Sequence, residues 1–240
     1  NPEYHKMVDK YEAKFIIANR IGSEYVIPNY GVWDKFEEIE FNKLPNQFVL
    51  KCTHDSGSVV ICTEKNDFDF ISAKKKISTA LKQDYYHYQN RQWVYKDIKP
   101  RVIAEKYLSS ATGIKMEYQI FCNNGNPLFF LVRNDLGNSL NECDTYAISY
   151  TLDWKRVVYR IGEEKTMHIE VKKPVNYSKM IEIASLLSVN IPHIRVDFYE
   201  VDDKLFLGEL TLCTNGGFFV NYNQVALDLL KNTLILPTKK

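Results

Sequence analysis

The sequence predicts an α+β fold, because strand-like and helix-like segments occur along one chain and the strands are joined by short turns. Residues 193–217 read as two half-buried strands with a short acidic turn between them. Residues 47–53 and 59–62 are a second pair of strands around a polar loop. Helical spacing of apolar residues is found in the segments 2–20, 67–82, 176–188 and 224–231. Asn66 or Asp67 is expected to cap the second of these helices.

Further strands are predicted in the second half of the chain. Residues 123–127, Asn-Asn-Gly-Asn-Pro, are the turn of a hairpin that joins strands 117–122 and 128–133. The other strand-like segments are 101–108, 147–152 and 167–171.

The composition is ordinary for a globular protein of 240 residues, which is long enough for one large domain or two modest ones. Hydrophobic residues make up 45% and charged residues 25%, and 31 basic residues almost balance 30 acidic ones. This balance argues against a protein whose main task is to coat nucleic acid, so no nucleic-acid partner is predicted. No apolar run approaches the about 20 residues that span a bilayer, so no transmembrane segment is predicted.

The five cysteines include no CxxC pair, which indicates neither a disulfide framework nor a structural zinc site. This usage favours a reducing, cytosolic compartment. The sequence begins with Asn1 rather than methionine, so we expect further chain upstream.

The acidic turn sets the register of the late hairpin. If Asp202–Lys204 form the loop, Val201 pairs with Leu205. That register places Asp197 opposite Glu209 on the polar face of the hairpin. A loop that is one residue longer or shorter, without a bulge, would put these carboxylates on opposite faces.

The same register places Arg195 opposite Thr211, on the face that carries the two carboxylates. Two carboxylates, a guanidinium and a hydroxyl suggest a hard-cation site, because Mg²⁺ prefers oxygen ligands and is usually shared with substrate phosphates. The alternative is a surface hairpin whose charges face water.

The polar loop after the first strand carries His54, Asp55, Ser56, Gly57 and Ser58. A loop of this kind can place backbone N–H groups over phosphate oxygens, and a lysine on the preceding strand, Lys51, can reach the same phosphates. The loop lacks the Gly-Lys-Ser/Thr sequence of a Walker A motif. An ordinary hairpin turn with a solvated lysine is the competing interpretation.

Five short motifs, each present once, follow one another along nearly the whole chain. They are Asp9-Lys-Tyr, the segment Leu44-Pro-Asn-Gln-Phe-Val-Leu-Lys51, His54-Asp-Ser-Gly, Ile103-Ala-Glu-Lys-Tyr-Leu108 and Arg195-Val-Asp-Phe-Tyr199. Each motif is weak alone, but the ordered set resembles the ATP-grasp superfamily and, more narrowly, its TupA-like branch. The resemblance implies two α+β lobes with antiparallel sheets that clamp a nucleotide. It divides the chain into an N-terminal helical segment, 1–45, a central lobe, 46–108, and a C-terminal lobe, 109–240.

The resemblance also implies a role for individual residues. Those that would bind the nucleotide are Lys51, His54, Ser56, Gly57 and Ser58 at the phosphates, Glu105 with the backbone of Lys106, Tyr107 and Leu108 at the adenine edge, and Glu117 at the ribose. Asp197, Glu209 and Thr211 would bind Mg²⁺. Arg195 and Lys51 would stabilise the transferring phosphoryl group, and the turn that begins at Asn215 would offer backbone donors near the reacting carbonyl.

Two positions depart from the branch. Gln119 stands where members usually carry lysine, and Thr211 stands where many relatives carry asparagine. The hydroxyl of Thr211 is neutral and is a weaker ligand, which leaves Asn215 as an alternative ligand.

The function that this resemblance implies is an ATP- and Mg²⁺-dependent carboxylate–amine ligase in capsular or exopolysaccharide, teichuronopeptide-like, biosynthesis. ATP would convert a carboxylate, such as a uronic acid, to an acyl phosphate, and a small amine would displace phosphate to form an amide. The enzyme would act in the cytoplasm, at the inner face of the membrane. The alternatives are a glycosyltransferase, for which Asp202 and Asp203 would be the metal-binding pair, a phosphotransferase on the same fold, and a catalytically silent binding module.

Overall fold

The computed structural model describes residues 1–88, 91–109, 115–135 and 146–236. The chain divides into two compact units, Asn1–Leu108 and Ser109–Lys240. Each unit has an antiparallel sheet of its own, with helices beside it. The predicted α+β class is therefore confirmed.

The first unit contains a sheet in the order β1-β4-β2-β3. Its elements are α1 (Glu3–Val8), α2 (Glu12–Ile21), β1 (Asn29–Trp33), β2 (Phe48–Cys52), β3 (Val59–Cys62), α3 (Phe70–Leu81), α4 (Tyr85–Tyr88) and β4 (Val102–Lys106). Short 3₁₀ turns lie at Ser23–Tyr25, Phe36–Glu38, Phe41–Lys43, Lys65–Asp67 and Trp93–Tyr95. The strands predicted at 47–53, 59–62 and 101–108 are confirmed as β2, β3 and β4.

The prediction of one continuous helix over 2–20 is wrong, because the structure has two helices there, α1 and α2. Asp9 ends α1 with an extended ψ of 118°. Its Oδ1 accepts hydrogen bonds from the amides of Tyr11 and Glu12, at 2.8 and 2.9 Å. A carboxylate that satisfies the first amides of a helix favours a new start at that point.

The predicted cap of α3 is also wrong, because the helix begins three residues later than expected. Asp69 is the cap, and its Oδ1 accepts hydrogen bonds from the amides of Ile71 and Ser72, at 3.0 and 2.9 Å. The candidates Asn66 and Asp67 lie in the preceding 3₁₀ turn.

Helix α3 covers one face of the first sheet. Alternate residues of β2, Phe48, Leu50 and Cys52, are buried with Ala73 and Ile77 of the helix in one apolar cluster. Because successive side chains of a strand point to opposite faces, Val49 and Lys51 belong to the other face of the sheet.

The second unit contains a sheet in the order β10-β9-β5-β6-β7-β8. Its elements are β5 (Lys115–Asn123), β6 (Asn126–Asp135), β7 (Ala147–Tyr150), β8 (Arg156–Val157), α5 (Tyr177–Ser188), β9 (Ile194–Val201), β10 (Lys204–Thr211) and α6 (Gln224–Thr233). Two 3₁₀ turns in the described residues are Glu163–Thr166 and Thr214–Gly217. Helix α5 packs against β5, β6 and β9 on one face, and α6 packs on the other face with Phe121 and Phe129.

The loop of the late hairpin is one residue shorter than predicted. Asp202 and Asp203 have φ values of 49° and 61°, and positive φ at both central residues is the geometry of a two-residue type I′ turn, which matches the twist of paired strands. Val201 consequently pairs with Lys204 rather than with Leu205.

A bulge in β10 compensates for the shorter loop. The pairing shifts by one residue between Leu207 and Glu209, so Gly208 is the extra residue of β10. Beyond the bulge Glu209 pairs with Asp197, which is the same pair that the predicted three-residue loop would give. The predicted facing pair is confirmed, although the predicted loop is wrong.

The strand predicted at 167–171 is absent, and this part of the chain is irregular. The amide of Val171 donates a hydrogen bond to the hydroxyl of Tyr150 at 3.0 Å, and the amide of Ile169 donates to the carbonyl of Thr166 at 2.9 Å. Side-chain and local acceptors therefore replace a neighbouring strand here.

None of the described helices combines the length and the apolar composition that a membrane crossing requires.

Candidate functional site

The first unit places two lysines on one buried carboxylate. Glu105 of β4 is 4% exposed, and its Oε1 and Oε2 lie 2.6 Å from the ammonium groups of Lys14 and Lys51, respectively. Lys14 also donates a hydrogen bond to the carbonyl of Ile27 at 2.7 Å. We call Lys14, Lys51 and Glu105 the lysine cluster.

The charges of the lysine cluster support one another. Burial alone would raise the pKa of Glu105, but the ammonium groups of Lys51 and Lys14 outweigh it and lower that pKa. Burial lowers the pKa of Lys14, and Glu105 opposes that shift. With all three groups ionised the cluster carries one net positive charge, which suits an anionic ligand.

The polar loop after β2 presents two exposed residues and three buried ones. Ser56 and Gly57 are exposed, whereas His54, Asp55 and Ser58 are buried. Gly57 has a φ of 99°, where a side chain would be strained. Within the described residues, the amides of Ser56 and Gly57 donate no hydrogen bond, so they remain available to an anion.

The buried side chains of this loop stabilise its conformation. The Ser58 hydroxyl donates to Oδ1 of Asp55 at 2.6 Å and accepts from the amide of Cys52 at 3.0 Å. The ammonium of Lys10 donates to the carbonyl of Asp55. The hydroxyl predicted to bind phosphate is therefore already engaged within the loop.

The imidazole of His54 is 2% exposed. Neither ring nitrogen makes a hydrogen bond of ordinary geometry in the part of the chain that the structure describes, although the backbone of Gln83 and that of Ala80 interact with the ring and favour its charged form. Burial lowers the pKa of His54, and the carboxylate of Asp55 partly opposes this shift. The predicted contact of His54 with phosphate would require the ring to move outward.

The predicted adenine edge follows directly after the lysine cluster along β4. The amide of Lys106 already donates to the carbonyl of Pro28 at 2.8 Å. Tyr107 is half-buried and Leu108 is buried.

The second unit gathers charged groups on one face of its sheet. The Nε and Nη2 atoms of Arg195 donate to Oδ1 and Oδ2 of Asp197 at 2.7 and 2.5 Å. Nη2 also donates to the hydroxyl of Thr211 at 3.2 Å. Glu209 pairs with Asp197 from the neighbouring strand. The structure thus brings together all four hairpin residues that the sequence predicts.

Strand β5 adds a third carboxylate to this face. Gln119 pairs with Asp197 in the sheet, and its Nε2 donates to Oε2 of Glu117 at 3.0 Å. The hydroxyl of Tyr199 donates to Oε1 of the same Glu117 at 3.3 Å. We call Glu117, Asp197, Glu209, Arg195 and Thr211 the acidic face.

The acidic face holds more negative than positive charge. Burial raises the pKa of Asp197 to about 7; Arg195 opposes the shift, while Glu117 and Glu209 add to it. Although burial opposes it, the carboxylate of Asp197 raises the pKa of Arg195, with Glu209 and Glu117 contributing. With three carboxylates and one guanidinium, the acidic face attracts a further cation.

The donor atoms of the acidic face fit a hard divalent cation, because they are carboxylate and hydroxyl oxygens. The described residues contain no group of three or more His, Cys, Asp or Glu side chains already arranged around a metal position. Both oxygens of Asp197 are hydrogen-bonded to Arg195 in this conformation. Each of these oxygens has a second lone pair that remains available to a metal while the contact with Arg195 is kept.

The turn after β10 has an unusual backbone. Asn215, Gly216 and Gly217 have φ values of 53°, 67° and 84°. The amide of Gly216 donates to the carbonyl of Cys213 at 2.9 Å, whereas that of Asn215 donates to no described group. A run of left-handed residues of this kind can form an anion-binding concavity.

With this geometry in view, the family can be assigned. The model of the TupA-like ATPgrasp family matches residues 1–233. The chain belongs to this family. The comparison with curated proteins found no match.

Solved structures of ATP-grasp ligases are similar in fold. L-amino acid ligase from Bacillus licheniformis has 14% sequence identity and a TM-score of 0.54, and the match covers 94% of this chain and 50% of that one. D-alanine–D-alanine ligase from Bacillus anthracis complexed with ATP has 18% identity and a TM-score of 0.51, over 95% and 65% of the two chains. D-cycloserine synthetase DcsG has 15% identity and a TM-score of 0.51, over 96% and 70%. The chain spans half to about two thirds of the first two structures, and the predicted ATP-grasp fold is confirmed.

Some members of the site in this TupA-like protein were not singled out from the sequence. Lys14 lies on a helix whose spacing alone would leave it in solvent, yet it is 9% exposed and contacts Glu105. Tyr199 was quoted only as part of a motif. Tyr199 lies two residues after Asp197 and four after Arg195 on the same strand. Because every second side chain of a strand points to the same face, this spacing is the signal that would have placed Tyr199 on the acidic face.

Proposed function

We propose that this TupA-like ATP-grasp protein is an ATP- and Mg²⁺-dependent carboxylate–amine ligase. The observation that carries the proposal is the register that sets Glu209 opposite Asp197 and leaves three carboxylates around Arg195. A face with excess carboxylate beside a guanidinium suits a metal-bound phosphate. The similar solved structures are ATP-grasp ligases, which supports an ATP-dependent ligase of the same kind.

In this proposal residues of the first unit bind the phosphates and the adenine of the nucleotide. Lys51 and the amides of Ser56 and Gly57 bind phosphate oxygens, while Glu105 keeps the ammonium of Lys51 in place. The backbone after Glu105, Lys106 to Leu108, binds the adenine edge. Glu117 accepts hydrogen bonds from the ribose.

The acidic face holds the metal. Asp197, Glu209 and Thr211 supply its oxygen ligands, with Asn215 as the alternative to Thr211. Bound Mg²⁺ offsets the negative charge of the phosphates. Arg195 binds the oxygens of the transferring phosphoryl group, and the amides of the turn at Asn215 bind the carbonyl oxygen.

The reaction has two steps, and little covalent chemistry is asked of the protein. A carboxylate oxygen attacks the γ-phosphorus of ATP, which releases ADP and leaves an acyl phosphate. The amine nitrogen then attacks the carbonyl carbon, loses a proton, and expels inorganic phosphate to give the amide. The residues above act by positioning and by offsetting charge.

The biological setting belongs to the same proposal. The TupA-like branch is associated with teichuronopeptide and other capsular or exopolysaccharide assembly, so the carboxylate is proposed to be a uronic acid of a polysaccharide precursor. The enzyme would then work in the cytoplasm at the inner face of the membrane.

The products separate this function from its alternatives. A ligase releases both ADP and phosphate only when an acid and an amine are present together. A phosphotransferase releases ADP and a phosphorylated acceptor without phosphate, and a glycosyltransferase consumes a sugar nucleotide and ignores ATP.

The matched variants lie on one hairpin. Asp197→Asn is expected to abolish Mg²⁺-dependent turnover, whereas Asp203→Asn, in the exposed turn, is expected to leave it unchanged. Full Mg²⁺-dependent turnover in Asp197→Asn would contradict the metal assignment.

A further inference from the structure

The second unit contains an apolar cavity of about 510 Å³ beside the acidic face. Its apolar wall is formed by Leu212, Phe219, Leu227, Leu230 and Leu234. Ligand pockets of small molecules commonly measure about 300–1,000 Å³. The cavity is therefore large enough for an organic ligand.

The polar side chains of the cavity satisfy one another. Asn123 donates through Nδ2 to the carbonyl of Leu230 at 2.8 Å and to the hydroxyl of Thr233 at 2.7 Å. Its Oδ1 lies 2.8 Å from Nδ1 of His193, and Nε2 of His193 lies 3.2 Å from the hydroxyl of Thr214. These distances assign Nδ1 as the protonated nitrogen and Nε2 as the acceptor.

The imidazole of His193, which lines the cavity, carries no charge at neutral pH. Burial, and then the nearby charge of Arg195, lower the pKa of His193 to about 4, so its imidazole is neutral. A sugar placed against the apolar wall would lose hydration at its hydroxyls without gaining partners there, which disfavours its binding.

The cavity continues the face on which the proposed chemistry takes place. His193 lies just before β9, two residues from Arg195, and its ring lies 6.2 Å from that of Phe121, which pairs with Arg195 in the sheet. Two residues span about 7 Å. Asn123 stands next to His193 at the end of β5. A substrate whose reacting group contacts Arg195 can thus place a substituent in the cavity.

A single cation lies at the rim of the cavity. Lys231 of α6 is exposed and is one of the lining residues. It forms no ion pair with any residue in the described ranges. A ligand with a free carboxylate and an apolar body would match this combination of charge and lining.

We propose that this cavity binds the side chain of a branched aliphatic or aromatic amino acid, which serves as the amine substrate. The proposal rests on the ligase function above and names the substrate class of that site. An amino acid that reacts through its amine retains its α-carboxylate, and Lys231 binds it at the rim. The uronic acid carboxylate, which is the acyl donor, lies outside the cavity.

The first experiment measures ADP and phosphate release with one acid and a series of amines. Phenylalanine and leucine are expected to give a kcat/KM at least about tenfold above those of glutamate and asparagine, because a hydrophobic pocket discriminates by this amount per missing apolar group. Phenylethylamine, which has the same ring but no carboxylate, is expected to be turned over with a higher KM. A preference for polar amino acids would overturn the inference and leave the ligase function standing.

Two variants test the cavity itself. Leu227→Trp, on the partly buried face of α6, fills the cavity and is expected to raise the KM for phenylalanine about tenfold with an unchanged KM for ATP. Leu234→Trp, at the exposed end, serves as the second filling variant. Val225→Trp is the matched control, since Val225 is exposed on the same helix and does not line the cavity. Equal KM values in all three variants would overturn the inference.

Lys231→Gln tests the carboxylate contact. It is expected to raise the KM for phenylalanine to that for phenylethylamine, whose own KM stays unchanged. If Lys231→Gln affects both amines equally, the assignment of Lys231 is wrong.

Calorimetric titration of phenylalanine, with Mg²⁺ and a non-hydrolysable ATP analogue present, separates this inference from the ligase function. Binding that Leu227→Trp abolishes supports the cavity site even if no turnover occurs, in which case the ligase function is the part that fails. Absence of binding at phenylalanine concentrations up to about 10 mM would overturn the cavity site.

Discussion

At the scale of single residues, Glu105 organises the first unit's charged groups. One carboxylate contacts two ammonium groups at 2.6 Å, and all three side chains are largely withdrawn from solvent. Each ammonium alone would pay for desolvation without a counter-charge. The carboxylate offsets part of this cost and fixes the position of Lys51.

Glu105→Gln is expected to lower the free energy of unfolding by about 3–5 kcal/mol, because two buried ammonium groups would lose their partner. Urea denaturation at pH 7 measures this loss. Glu37→Gln, which removes an exposed partner of Lys74, is the control and is expected to have no measurable effect.

The same variant gives a pH dependence. The pKa of Glu105 is lowered in the folded protein, so its contribution to stability is present above the unfolded pKa of 4.5 and is lost as the pH falls through the folded value. The gap in unfolding free energy between wild type and Glu105→Gln is therefore expected to shrink below about pH 4.5. A gap that stays constant down to pH 3 would show that Glu105 is not ionised in the pair.

Thr211 tests the ligand set of the acidic face. Thr211→Val keeps the shape of the side chain but removes the hydroxyl that accepts from Arg195. It is expected to weaken Mg²⁺ binding by about 1 kcal/mol, roughly a fivefold rise in the half-saturating concentration. Thr211→Asn, which introduces the amide oxygen of many relatives, is expected to lower that concentration. The reverse order, found by Mg²⁺ titration in the presence of an ATP analogue, would exclude Thr211 as a ligand.

At the scale of elements, the β9–β10 hairpin sets the acidic face through a turn and a bulge together. The alternation of polar and apolar residues along β9 and β10 is strong enough to predict which residues face each other, because the core side must remain apolar. The loop length was harder to predict. An Asp-Asp turn with two positive φ values and a bulge at Gly208 gives the same facing pair as a longer loop.

Gly208 is needed where the bulge passes Tyr199. A Cβ at Gly208 would lie 2.6 Å from Cε2 of the Tyr199 ring. The hydroxyl of this ring donates a hydrogen bond to Glu117. Gly208→Ala is expected to cost about 1–3 kcal/mol of unfolding free energy, because the ring must shift. In a Tyr199→Ala background the same substitution is expected to cost little, which a double-mutant cycle by urea denaturation measures. Equal costs in both backgrounds would contradict a clash with Tyr199.

At the scale of the whole molecule, each unit has its own sheet, core and charged cluster. Elements that depend on local patterns, such as β2, β4 and the β5–β6 hairpin, were predictable from the sequence. The break at Asp9 and the cap at Asp69 were not, because they depend on which of several polar residues turns its side chain to the backbone. The partners of Glu105 and the apolar cavity were not predictable either, since distant segments meet there only in the folded unit.

The central claim is that Asp197 binds the metal that accompanies ATP, and calorimetry of a non-hydrolysable ATP analogue with and without Mg²⁺ tests it most directly. Wild type and Asp203→Asn are expected to bind the analogue more tightly with Mg²⁺, by about tenfold or 1.4 kcal/mol. Asp197→Asn is expected to bind it equally with and without Mg²⁺. An undiminished Mg²⁺ effect in Asp197→Asn would contradict the account.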